Sequence, residues 1–234
     1  MPIEIQKTNP YTTPQTYQLK MENWFALTEP YTLSGNIVDV EKQEIFMGRV
    51  HVLEGKIKRI ERCVVPEVHY IMPGFVCAHS CINSAVQTPF LAVEAARYGI
   101  VAEIITVADE CVDICEAEEK IRQGENIIIT TNRFDVLYPL INQYPSATVL
   151  ATNDCTLSIR TYSYLLDTFQ KGMDKGLSFF NLLRVISSNI INHYHLSTGL
   201  LREGDAADFI VVDNLTNLTV KQTYINGKLI YDDI

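Results

Sequence analysis

Near the N-terminus of this chain residues 49–53 and 56–60 alternate between apolar and polar one by one, its C-terminal end returns to β-type runs, and between them the rhythm changes to strands separated by helices. One-by-one alternation marks a sheet with one buried face. The two ends are therefore expected to build one β unit together, with an α/β segment inserted between them. Near the N-terminus, residues 31–40, 49–53 and 56–60 read as strands, with a tight turn at Glu54-Gly55. Near the C-terminus, residues 207–213, 220–225 and 228–231 read as strands, and Asn226-Gly227 is a strong hairpin signal. Residues 1–30 read as an irregular N-terminal arm.

In the centre, Ile71 to Ala78 reads as one apolar strand, followed by a helix opened by Thr88-Pro89 and ended by Gly99. Ile100 to Val107 is a second strand. Asp113 and Glu116 have capping-box spacing ahead of a helix that ends at Gly124. Residues 126–131 and 147–152 read as further strands, flanking a helix over 134–144. Two longer helices are expected over 159–175 and 178–195. The expected fold class is α/β: a partial (β/α) barrel of about four strands inserted into a small β-sandwich-like domain. Its parts are the arm at 1–30, a composite β domain of 31–70 plus 201–234, and a truncated barrel segment at 71–200.

The formal net charge is -9, from 19 basic and 28 acidic residues, with no basic cluster. That balance argues against partners such as nucleic acid or an anionic membrane. No apolar run reaches membrane-span length, and the first 20 residues are polar, so a cytoplasmic location is expected. In that setting the six cysteines are expected to be free thiols.

Several segments resemble the adenine deaminases of the metal-dependent amidohydrolase superfamily. Ile71-Met-Pro-Gly-Phe-Val-Cys-Ala-His79 is similar to their P-G-[FL]-[IV]-D-A-H-x-H strand. The stretch 82–89, Ile-Asn-Ser-Ala-Val-Gln-Thr-Pro, is similar to I-E-S-S-x-x-T-P. The stretch 109–124 resembles their D-H-E-C-x-x-x-E-E-A-x-x-K-[IL]-R-x-G helix. Ala151-Thr-Asn-Asp154 stands where they carry a T-D-D strand end, and 198–213 with Asn226-Gly-Lys228 resembles their tail. The resemblance covers residues 31–231. It implies a hydrolase acting on C–N bonds, with a divalent metal such as zinc, iron or manganese that activates water.

The departures from those motifs fall on chemical positions. His79 matches the first histidine of H-x-H, but Cys81 takes the place of the second and Cys77 that of the aspartate. Asn83 replaces the glutamate of I-E-S-S. Asp109 replaces the histidine of D-H-E, whereas Glu110 is retained. Asn153 replaces the proton-shuttling aspartate, and an amide is not a carboxylate base; Asp154 follows it, one residue out of phase. The resemblance therefore leaves His79 and Cys81 as candidate metal ligands, and Asp109, Glu110, Asn153 and Asp154 as candidate catalytic residues.

The segment is also short. A complete (β/α)₈ barrel takes about 200–250 residues, and the chain near residues 106–109 runs from an early barrel motif straight into a late one. The open edges of a half barrel call for a cover, so a homo-oligomer is expected. The functional expectation is a catalytically inactive adenine-deaminase-like homologue that binds a purine-like small molecule; the residues leave open whether it keeps the divalent metal that the resemblance implies. The alternative is an active metal-dependent hydrolase deaminating adenine or a similar purine or cyclic amine.

Overall fold

The computed structural model describes residues 17–19, 29–80, 89–106, 110–152 and 159–233, with backbone alone at 17–19, 79–80, 89–92, 105–106 and 159–161. The first half of the chain contains β1 (Tyr17–Leu19), β2 (Tyr31–Asp39), β3 (Glu44–Leu53), β4 (Lys56–Arg62), β5 (Tyr70–Pro73), β6 (Phe75–Ser80), α1 (Pro89–Arg97) and β7 (Ile100–Thr106). The second half contains α2 (Ile114–Arg122), β8 (Ile127–Thr130), α3 (Phe134–Leu137), α4 (Pro139–Gln143), β9 (Thr148–Thr152), α5 (Ile159–Asp174), α6 (Phe179–Val185) and α7 (Ser188–Tyr194). It closes with β10 (Phe209–Val212), β11 (Val220–Ile225) and β12 (Lys228–Asp232). Two compact units result: Met1–Lys20 with Val76–Leu91 and Ala102–Leu196, and Met21–Phe75 with Ala92–Val101 and Ser197–Ile234.

In the second unit, strands from both ends of the chain join in one seven-stranded sheet, in the order β12-β11-β10-β5-β2-β3-β4. The two ends meet where β5 lies antiparallel to β10 and parallel to β2. Alternation puts Ile37, Val50, Val52, Ile57, Ile71, Phe209 and Val211 on one buried face. Tyr224 stacks on Phe209 there, ring centroids 4.6 Å apart. The Asn226-Gly227 turn has positive φ at both residues (49° and 75°), the backbone of a two-residue hairpin whose twist suits the strands it joins. Gly227 is required on a second count, because a Cβ there would stand 2.9 Å from the Gly55 Cα.

Asp208 fastens the tail of this unit. Fully buried, it accepts hydrogen bonds from the backbone N–H of Gly199 (3.0 Å) and of Asn226 (2.7 Å). Its own carbonyl accepts the N–H of Gly74 at 3.3 Å. One short acidic side chain thus satisfies backbone donors from two separate turns.

The first unit contains a five-stranded sheet in the order β1-β7-β6-β9-β8, with β6, β7, β8 and β9 as a small β/α sheet. β9 runs parallel to both β6 and β8. The expected α/β class and its four strands are therefore present. Asp113 caps α2 as its spacing predicts, accepting from the Glu116 N–H at 2.9 Å, and the Glu116 carboxylate reaches back to the Val112 N–H at 2.8 Å. Thr88, expected to cap α1, lies outside the described residues.

Four expectations need correction. The apolar run 71–78 is not one strand: it breaks at Gly74, where β5 ends in the seven-stranded sheet and β6 begins in the other. A Cβ at Gly74 would come within 2.2 Å of Val101 Cγ1, so only glycine fits this crossing. The helix expected over 134–144 divides into α3 and α4 at Pro139, which has no N–H to give the preceding turn. The helix expected over 178–195 divides at Ile186, whose carbonyl accepts the N–H of Val76 on β6 at 2.8 Å. And the arm read as irregular contributes β1, paired antiparallel to β7.

Candidate functional site

Ligands in open α/β sheets bind near the C-terminal ends of the parallel strands, so the site is sought on β6, β7, β8 and β9. His79 lies in β6 with its backbone opposite Thr152 of β9; its side chain is outside the description. Cys81, Asp109, Asn153 and Asp154 lie outside the described residues. Glu110 is half-buried just ahead of α2, with Arg133 Nε 3.9 Å from its carboxylate. An ion pair this open contributes about 1 kcal/mol or less. Beside Arg133, the Thr130 hydroxyl at the end of β8 donates to Asn132 Oδ1 at 2.6 Å.

Beneath this rim, four polar side chains from four elements meet in the interior of the same unit. Cys77 comes from β6, Glu103 from β7, Thr152 from β9 and Tyr162 from α5, and all four are buried, Glu103 to 3% exposure. Tyr162 and Glu103 interact electrostatically in this interior. Cys77 shares a hydrogen bond with Thr152, whose hydroxyl also donates to the Ala78 carbonyl at 3.3 Å.

The electrostatics follow from burial. Removal from water pushes the Glu103 carboxyl up to about 7, with the Tyr162 phenol acting in the opposite direction. Burial raises the Cys77 thiol well above its ordinary range, and the carboxyl of Glu103 raises it further. The Tyr162 phenol is raised by the same two causes. Cys77 and Tyr162 therefore hold their protons at neutral pH, whereas Glu103 gains and loses its proton there. The cluster can share protons among its members, but it presents neither a thiolate nor a permanently ionised carboxylate.

Of the four, only Cys77 and Glu103 are side chains of the kinds that usually hold zinc, fewer than the three or four such an ion takes from a protein. Among the described residues no group of three His, Cys, Asp or Glu side chains could hold a metal ion.

Sequence reasoning overlooked Glu103 and Tyr162. The signal for Glu103 was present: a carboxylate in the middle of the apolar strand Ile-Val-Ala-Glu-Ile-Ile-Thr must either face water or carry a partner inside. Nothing local pointed to Tyr162, which reaches the strand only through the packing of α5.

Comparisons with known proteins agree with this architecture. The pattern of the amidohydrolase family matches residues 102–230. The adenine deaminase of Methanosarcina mazei is 40% identical over 134 residues, which are 55% of this chain and 24% of that protein. The adenine deaminase of Parabacteroides distasonis is 36% identical over 132 residues, 55% of this chain and 24% of that protein. The chain thus spans about a quarter of the length of the curated relatives it matches. Among solved structures, a β-aspartyl dipeptidase of Fervidobacterium islandicum superposes with a TM-score of 0.62 at 12% identity, over 87% of this chain and 98% of that one. The N-acetylglucosamine-6-phosphate deacetylase of Thermotoga maritima gives 0.57 at 13% identity, over 87% of this chain and 100% of that one. At such identities the likeness is one of fold.

Proposed function

Because this chain belongs to the amidohydrolase family, we propose that it is an adenine-deaminase-like homologue that has given up deamination while keeping the family's strands and turns. The observation that carries this reading is the environment of Cys77. Where the related motif has an aspartate, this chain has a buried thiol, raised by burial and by Glu103 and hydrogen-bonded to Thr152. Deamination of a purine amine needs an ionised base and a water activated near neutral pH. A buried thiol at the position of that aspartate supplies no carboxylate base.

The similarity to proteins named adenine deaminase, at 36–43% identity, supports a second reading. In it the chain is an active hydrolase acting on adenine or a similar cyclic amine through His79, Cys81, Asp109 and Asp154.

Ammonia release from adenine, by purified protein supplied in turn with zinc, manganese and ferrous iron, separates the two. The first reading expects no release above the protein-free blank. Turnover that depends on added metal and disappears in His79→Ala would establish the second.

A further inference from the structure

Across β2, β3 and β4 the strand register lines up a hydroxyl, an imidazole and a carboxylate. Thr32 of β2 is the direct cross-strand partner of His51 of β3, and Arg49 of β3 is that of Glu61 of β4. Val50 and Val52 point into the core, so Arg49 and His51, which alternate with them, share the opposite face. There the Thr32 hydroxyl lies 3.0 Å from His51 Nδ1. His51 Nε2 lies 3.4 Å from one oxygen of the Glu61 carboxylate, and Arg59 Nη2 lies 3.4 Å from the other. Thr32 is exposed, and His51 and Glu61 are each about one-third exposed, so a small molecule can reach all three.

The chemistry of the groups sets the direction of this chain. A carboxylate only accepts hydrogen bonds, so in the neutral ring Nε2 carries the proton and donates to Glu61. Nδ1 then keeps its lone pair and accepts from the Thr32 hydroxyl. A nucleophile, its base and a group that orients the base thus stand each within reach of the next, with the longer link typical of a site without substrate.

A cation completes the set. Arg49 lies opposite Ser34 and therefore diagonal to Thr32, a spacing that a long side chain covers. It is exposed, and among the described residues its guanidinium has no ion pair. Arg49 and Arg59 against Glu61 leave this patch with one net positive charge, which suits a developing oxyanion and an anionic leaving group.

We propose that Thr32 is an acyl-acceptor nucleophile for activated esters with an anionic leaving group, with His51 as its general base and Glu61 as the residue that positions His51. The Thr32 oxygen bonds to the acyl carbon while His51 Nδ1 takes the hydroxyl proton. The bond from that carbon to the leaving oxygen breaks, and His51 passes the proton to the departing group. Acyl-threonine and the free alcohol are the products. All of these residues belong to the second unit, so the outcome is independent of whether the chain deaminates adenine.

The test uses the full chain with p-nitrophenyl acetate, and peptide mass mapping locates the acetyl groups. Thr216, an exposed threonine between β10 and β11, is the internal reference. In the wild type, Thr32 is expected to acetylate about a hundredfold faster than Thr216. His51→Gln should bring Thr32 down to the Thr216 rate, and added imidazole should restore part of the difference. Glu61→Gln should lose most of the advantage and Glu61→Asp should recover some of it, a split that loss of packing alone would not produce. Equal rates at Thr32 and Thr216 in the wild type would overturn the proposal, and so would an unchanged Thr32 rate in His51→Gln. The first comparison is made within unaltered protein, so it decides even where a variant fails to fold.

Discussion

The phenol of Tyr162, carried on α5, interacts electrostatically with the carboxyl of Glu103 in the middle of β7. This joins a helix to a strand through two polar groups that are both removed from water. Burial of a carboxyl in such company favours its protonated form, and the consequences can be measured.

The stability of the fold should fall as pH rises toward neutrality. Glu103 holds its proton up to about 7 in the folded chain and only to about 4.5 when unfolded. A raised folded value contributes stability in full below the unfolded value and loses it as pH rises through the folded one. The slope between them approaches about 1.4 kcal/mol per pH unit. Urea unfolding at pH 5 and pH 8 should therefore differ more for the wild type than for Glu103→Gln, whose amide does not titrate. Equal differences for the two proteins would remove Glu103 from this role.

Thiol reactivity should divide the cysteines by position. Cys115 is exposed in the first turn of α2, whereas Cys77 is buried and its thiol is raised by burial and by Glu103. In native protein at pH 7.5, a value chosen near neutrality (about one unit below a free thiol), Cys115 should label with iodoacetamide while Cys77 stays unlabelled until denaturant is added. Labelling of Cys77 at the rate of Cys115, read by peptide mass mapping, would contradict the buried cluster.

Asp208→Ala should be among the most destabilising single changes in the second unit. It leaves the N–H groups of Gly199 and Asn226 without their carboxylate acceptor. At about 1–3 kcal/mol for each buried donor, the expected loss is about 2–6 kcal/mol. Asp208→Asn keeps one acceptor oxygen and should lose less. A urea midpoint for Asp208→Ala within error of wild type would refute this.

Much of the second unit was legible in the sequence, because β3 and β4 alternate and Asn226-Gly227 permits only a few backbone shapes. The division at Gly74 was not, since the apolar run from Ile71 to Ala78 has no change of period to mark where one sheet ends and the other begins. The break at Ile186 has its cause in Val76, a residue remote in sequence, and β1 is too short to show any periodicity. For the site, the sequence recorded the loss of the motif aspartate at Cys77, and β6 carries His79, while Cys81, Asp109, Asn153 and Asp154 fall outside the described residues. It could not bring Tyr162 to Glu103, because that meeting depends on how a whole helix packs.

The most direct test of the central claim is adenine turnover by the full chain, with bound zinc, iron and manganese measured on the same sample. We expect no ammonia release at any metal loading, with Glu103→Gln and Cys77→Ser changing stability and leaving turnover at the blank. Ammonia release that scales with bound metal and vanishes in His79→Ala would contradict a retired site and make this chain a working deaminase.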